Sequence, residues 1–203
     1  MDQSVPSRAK LRGTMRSGGS SDRVRAEDIV VRRPSEADIP GLAMHFSEKQ
    51  SHYKQPVSDA AASKAAVLAC KTPTSTFDPR VLVALVGDMV VGSLVMNVTF
   101  PASELTMALY IRDLYVAKFA RRCGVGQMLV RAATQLRASE GFSALEWTTD
   151  STNAAARRLY EACGARQVER TYFNERRGPG ERRGAKRQVA AERRLRDAQV
   201  PTA

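Results

Sequence analysis

The sequence predicts a mixed α/β domain, and three stretches carry that prediction. The apolar run Ile111-Arg112-Asp113-Leu114-Tyr115-Val116 leads into Arg121-Arg122-Cys123-Gly124-Val125-Gly126, which opens an amphipathic segment reaching Glu140. That order reads as a strand, a short basic glycine loop and a helix. Two β-rich runs, Arg80 to Val86 and Met89 to Val98, flank the pair Gly87-Asp88, and a two-residue turn of this kind signals a hairpin. A further apolar run then precedes a helix-like segment that opens at Asn153.

A chain of 203 residues with 43% hydrophobic residues holds one domain with a full core and is too short for two ordinary ones. No apolar run reaches the ~18 residues of a membrane span, and no apolar segment follows the early basic residues as in a secretory signal. The three cysteines, Cys70, Cys123 and Cys163, form no C-x-x-C, which argues against a disulfide framework or a zinc site. A reduced, cytoplasmic setting is the simplest expectation. The formal net charge of +11 suits nucleic acid, an acidic membrane surface or an anionic cofactor. Much of that charge lies in residues 1–27 and 174–203, which read as a disordered basic extension and an arginine-rich tail that is disordered or partly helical.

The expected domain spans residues 28–173. Ile29 to Arg33 reads as a strand, and Ser35 with Glu36 and Asp38 supplies helix-start chemistry. The helix that follows runs to about Glu48, with a break at Pro40. Ser58-Asp59 and an alanine-rich stretch predict a second helix to Ala69. After the hairpin come a strand from Met107 to Val116 and a helix whose face carries Val125, Met128, Leu129, Ala132 and Leu136, stopped by Gly141. A strand at Ser143 to Thr148, the Asn153 helix and a last strand at Arg166 to Tyr172 complete the series.

The glycine loop is the candidate site. Such a loop turns several backbone N–H groups toward one spot at the positive end of a helix dipole. Gly124 and Gly126 lack a Cβ and so allow close approach; the expected guest is a phosphate or pyrophosphate. Arg121 and Arg122 add positive charge, and Cys123 reads as a small filler or, at the positive end of the helix, a reactive thiol. His45 and His52 have no acidic or cysteine partner at ligand spacing, so no metal is expected.

Taken together, Asp113-Leu114-Tyr115-Val116, then R-x-x-G-x-G, then the N-x-x-A-x-x-L-Y-E-x-x-G-A of Asn153 to Ala165 resemble the GCN5-related N-acetyltransferase (GNAT) superfamily over roughly residues 28–173. The resemblance implies a six- or seven-stranded, mainly antiparallel sheet flanked by helices, and acetyl transfer from acetyl-CoA to an amine. It implies that the main chain of Arg122 through Gln127, Val125 included, holds the pyrophosphate. Leu114, Tyr115 and Val116 would offer strand amides to the pantetheine arm, with the Leu114 amide on the thioester carbonyl oxygen. Tyr160 stands where many members keep the general acid, and Asn153 binds the pantetheine or caps its helix. Glu48 and His52 lie in the segment that walls the acceptor site.

The base is less defined. In the diamine and polyamine branch a Glu precedes the strand's Asp, where this chain has Arg112. Asp113 remains as a catalytic candidate, with Glu48, His52 and Glu146 as other bases acting through water. Arg112 could instead pair with an acceptor carboxylate. Strand alternation would send Arg112 and Asp113 to opposite faces. The expected acceptor is a small-molecule primary amine. The alternatives are a protein or peptide N-acetyltransferase, or a non-catalytic protein of this fold that binds nucleic acid weakly through its basic tails. No membrane partner is expected, and a homodimer is compatible with the sequence.

Overall fold

The structure, a computed structural model, describes residues 24–169. The expected basic extension before Val24 and the tail from Asn174 lie outside the described residues. Val24 already packs against the core, so order begins slightly before the expected Asp28.

The sheet is built first from β1 (Ile29–Arg32), β2 (Arg80–Val86), β3 (Met89–Thr99) and β4 (Ala108–Val116), each antiparallel to the next. A short β5 (Leu145–Trp147) then pairs parallel to β4. Five strands are thus present among the described residues, against the six or seven expected; of the last expected strand, Arg166 to Tyr172, residues 166–169 are described and form no strand, and the rest lies outside the described residues. Two helices, α1 (Ile39–His52) and α2 (Asp59–Ala69), cover one face. There Leu42, Phe46 and Ala66 pack on Val83, Leu85 and Val90. On the other face α3 (Val125–Ser139) sets Val125, Leu129, Val130 and Ala133 against Leu82, Val91, Leu94 and Leu109. Burying each such Leu or Val contributes ~1.5–3 kcal/mol. After β5, α4 (Ala154–Ala162) returns to pack on α3.

Local chemistry accounts for these boundaries. Both the N–H and the hydroxyl of Ser35 donate to Asp38, whose carboxylate also receives Arg32 at 2.7 and 2.9 Å. The Arg32 contact, burial notwithstanding, draws the Asp38 pKa down to about 2. Pro40 does not break α1: it sits in the first turn, where proline's missing N–H has no intrahelical acceptor to lose. The helix runs on to His52 instead of Glu48. Ser58 caps α2 by accepting from the Ala61 N–H at 3.3 Å. Gly141, at φ +76°, follows α3 as expected.

The placement of α3 is fixed at both ends. At its C-terminus Glu140 accepts from Arg33 and, at 2.8 Å, from Nε of the buried Arg80. Arg80 also donates to the Thr76 carbonyl at 2.9 Å. At its N-terminus α3 lies against Gly92 of β3: a Cβ there would stand 2.8 Å from Val125 Cγ1 and 3.1 Å from Leu129 Cδ1. Gly92→Ala should therefore lower the unfolding free energy by about 1–3 kcal/mol, the usual cost of overpacking. Urea denaturation checks this; an unchanged midpoint would mean that α3 yields freely.

Candidate active site

β4 makes the site by losing a partner. Its register with β3 shifts between Val95 and Met96, because Asp113 opposes Val95 and Ile111 opposes Met96. Arg112 is the inserted residue of a β-bulge, and bulges re-aim the side chains beyond them. Ile111 joins the α3-side core. Beyond the bulge Asp113 and Tyr115 face α1, as their contacts with Lys49 and Glu48 show. Simple alternation between Arg112 and Asp113 therefore does not carry across this point.

The bulge also fixes the direction of the backbone. The Ala117 N–H donates to the Val91 carbonyl at 3.0 Å, and these two residues stand in register with Tyr115 opposite Ser93. Hydrogen-bonded and non-hydrogen-bonded pairs alternate along an antiparallel ladder. Tyr115 thus spends its main-chain groups on β3, while Leu114 and Val116 turn theirs away from it. On that far side, among the described residues, β5 pairs only with Leu109, Tyr110 and Ile111. Of the three strand amides expected to serve a ligand, the phase presents Leu114 and Val116 to the opening and withholds Tyr115.

The opening leads to the glycine loop. Arg122, at φ +66°, and Gly124, at φ +84°, take left-handed conformations, and Gly124 is the residue before α3. Met128 is the first residue to donate back, to the Gly124 carbonyl at 3.0 Å. By helix geometry the N–H groups of Val125, Gly126 and Gln127 have no acceptor in the turn before them. The two glycines differ in purpose. Nothing lies within 4 Å of a Cβ built at Gly124, whereas at Gly126 it would meet Leu159 Cδ2 at 3.1 Å. Gly126 serves the approach of α4 to α3, which sequence alone does not separate from ligand approach. Cys123 turns its thiol to the Arg121 carbonyl at 3.6 Å.

Tyr160, on α4, is half-buried, with its ring 5.0 Å from that of Trp147. Burial raises its pKa, and the negative charge of Asp113 adds to the effect. Its hydroxyl has no hydrogen-bond partner among the described residues. Asn153 caps α4, its Oδ1 accepting from the Ala156 N–H at 3.1 Å.

On the α1 side, Glu48 Oε1 accepts from the Tyr115 hydroxyl at 3.0 Å and lies 3.4 Å from the Lys118 N. His52 is exposed, with its ring 5.3 Å from Tyr53 and 5.8 Å from Tyr115. Asp113 is held by Lys49 Nζ at 2.7 Å. Arg112 is exposed and without an ion pair among the described residues. Glu146 lies on β5 opposite Tyr110, one residue before Trp147, the last position paired with β4. Sequence reasoning did not single out Lys49 or Trp147, and it weighed His45 only as a metal ligand. His45, Lys49 and His52 recur at helical spacing on one stripe of α1, a signal that could have grouped them.

Comparison with known proteins decides what this arrangement belongs to. Residues 45–165 match the acetyltransferase (GNAT) family. The chain belongs to that family. An N-acetyltransferase of Bacillus subtilis (strain 168), YhfO, itself uncharacterized, is 26% identical over 134 residues, 66% of this chain and 87% of that protein. An integron cassette protein from the mobile metagenome of V. cholerae is 25% identical. It superposes with a TM-score of 0.62 over 78% of this chain and 98% of its own. An aminoglycoside acetyltransferase from an uncultured soil metagenomic sample shares the fold at 21% identity, with a TM-score of 0.59 over 74% and 98% of the two chains.

The GNAT family implies acetyl-CoA as co-substrate, and the residues fit it. The amides that start α3 suit a pyrophosphate, and the Leu114 and Val116 groups suit the amide-bearing arm. No helix among the described residues is long and apolar enough to cross a membrane.

His45 supplies a pH test of the α1–sheet contact. It is 3% exposed, its Nε2 is 3.2 Å from Ser93 Oγ, and its Nδ1 has no hydrogen-bond partner among the described residues. Burial draws its pKa from 6.5 down to about 4. The unfolded chain therefore binds the proton first as pH falls. The contribution of the neutral ring is full above the unfolded pKa of ~6.5 and is lost progressively toward pH ~4, by up to about 3 kcal/mol. Unfolding free energies measured across this window should fall with pH, and His45→Gln should flatten the slope. An identical slope in the variant would remove His45 as its source.

Proposed function

We propose that this acetyltransferase moves the acetyl group of acetyl-CoA to the primary amine of a small molecule, by direct attack with both substrates bound, and that Tyr160 is the general acid. The observation that carries this reading is the opening between β4 and β5. There the Leu114 and Val116 main chain, the first amides of α3 and the unpartnered Tyr160 hydroxyl border one region.

Acetyl-CoA, when bound, supplies the thioester. The Leu114 N–H donates to the carbonyl oxygen, where a fixed donor is worth most as charge develops. Arg122 through Gln127 hold the pyrophosphate with their main chain, and Val116 takes the pantetheine. The Tyr160 phenol, kept protonated by burial, gives its proton to the departing sulfur, and the proton that the attacking nitrogen sheds as the amide forms restores the phenol. Asp113 reinforces that protonated state by its charge and does not need to accept a proton itself, being paired with Lys49. Glu48 and His52 wall the acceptor side, and Glu48 retains one oxygen without a hydrogen bond among the described residues.

The reaction is read by thiol release from acetyl-CoA with a panel of amines, amino acids, aminoglycosides and peptides. Aminoglycosides enter the panel because a structure with the same fold acts on them, a likeness that carries the fold alone. Turnover is expected with one small-amine class. Tyr160→Phe should lower kcat about 10²-fold, within the usual range for a lost general acid, with little change in the KM for acetyl-CoA. Undiminished kcat in Tyr160→Phe would remove the assigned acid, and turnover confined to peptides would move the acceptor to a protein amine.

A further inference from the structure

Arg121 is the first arginine of the glycine loop, and its charge invites a phosphate. The structure gives the side chain other work. Its Nε–H donates to the Val116 carbonyl at 3.0 Å, and its Cζ stands 5.5 Å from the centre of the Tyr115 ring. Tyr115 is buried, packs on His45 and His52, and donates its hydroxyl to Glu48. Glu48 in turn lies within reach of the Lys118 N–H, just before the loop.

Arg121 therefore closes a chain of contacts from the end of β4 through Tyr115 to the acceptor-side helix α1. The link from α1 to β4 spans 67 residues at Glu48 and Tyr115, while Arg121 folds back on Val116 and Tyr115, five and six residues before it. The Val116 carbonyl that Arg121 engages is one of the groups turned away from β3. Without that bond, the strand end would keep its ladder bonds to β3 through Tyr115 and Ala117 but would lose the tie between β4 and the loop.

We infer that Arg121 is a positioning residue: it clamps the end of β4 and the Tyr115 ring and so aligns the cofactor opening with the acceptor wall, while the phosphate is held by the loop main chain. The inference rests on the proposed cofactor site but makes a separate claim about one side chain.

Two substitutions divide the clamp from a phosphate contact. In Arg121→Gln the amide nitrogen stands as many bonds from Cα as the arginine Nε, so it can still donate to Val116 while the charge is gone. In Arg121→Lys the charge stays, but a methylene replaces the donor at that position. A phosphate contact follows the charge, and a clamp follows the donor.

The experiment is thermal melting of the full chain without ligand, calorimetry of coenzyme A binding, and steady-state kinetics for Arg121→Gln, Arg121→Lys and Arg121→Ala. The clamp predicts that Gln melts near the parent and binds coenzyme A within about threefold of it. Lys and Ala should melt lower and raise the acceptor KM by about tenfold, more than the KM for acetyl-CoA. The reverse pattern would overturn the inference: Lys keeping coenzyme A affinity while Gln loses about tenfold, with a weaker salt dependence. If the parent chain binds no coenzyme A, the cofactor reading fails. The melting order then decides the clamp by itself, with Gln above Lys supporting it and Gln at or below Lys refuting it.

Discussion

Main-chain N–H and C=O groups inside a protein are almost always paired, and the last residues of β4 are where this fold departs from that rule. Beyond Ile111, β5 no longer accompanies the strand, and the ladder phase turns Leu114 and Val116 away from β3. Apart from the Val116 carbonyl, which Arg121 engages, those groups have no partner among the described residues. The bulge at Arg112 sets the second condition, since it shifts the phase of the strand, and it places Asp113 and Tyr115 on the α1 face. On the proposed reading, a ligand with its own amides completes the sheet edge here, so that the site is made of backbone.

The rest of the molecule holds that strand end still. Helix α3 is fixed by Gly92 beneath its first turn and by Arg33 and Arg80 on Glu140 at its far end. Its unpaired N-terminal amides thus stand at a set distance from β4. Tyr115 joins this side of the molecule to α1, and the Lys49–Asp113 ion pair makes a second tie at 2.7 Å. A charge pair of this kind, only partly exposed, holds direction more than it adds stability. The pair leaves the Asp113 carboxylate engaged by Lys49 at the strand end.

Much of this was legible in the residues. Runs of Val, Leu and Met around Gly87-Asp88 gave the hairpin to within a residue, and Ser58 marked the start of α2. The glycine loop and the Asn153 helix fell where their patterns put them. The bulge was not legible, because Ile111 to Val116 mixes apolar and charged residues in a way that alternation alone cannot phase. The Lys49–Asp113 contact spans 64 residues, and nothing local in either segment announces it. Gly126 showed a different limit: a missing Cβ looks the same in sequence whether a ligand or Leu159 needs the room. Pro40 misled for the opposite reason, since its effect depends on whether it falls in the first turn or the interior of a helix.

The backbone opening can be observed directly. Amide resonances of Leu114, Tyr115 and Val116 in isotopically labelled protein, followed by hydrogen exchange with and without acetyl-CoA, separate the three residues. The ladder phase predicts that Tyr115 is protected in the free protein and changes little. Leu114 and Val116 should exchange faster when free, then slow and shift when acetyl-CoA binds. Equal protection of all three in the free protein, or no response of Leu114 and Val116 to saturating acetyl-CoA, would contradict the account.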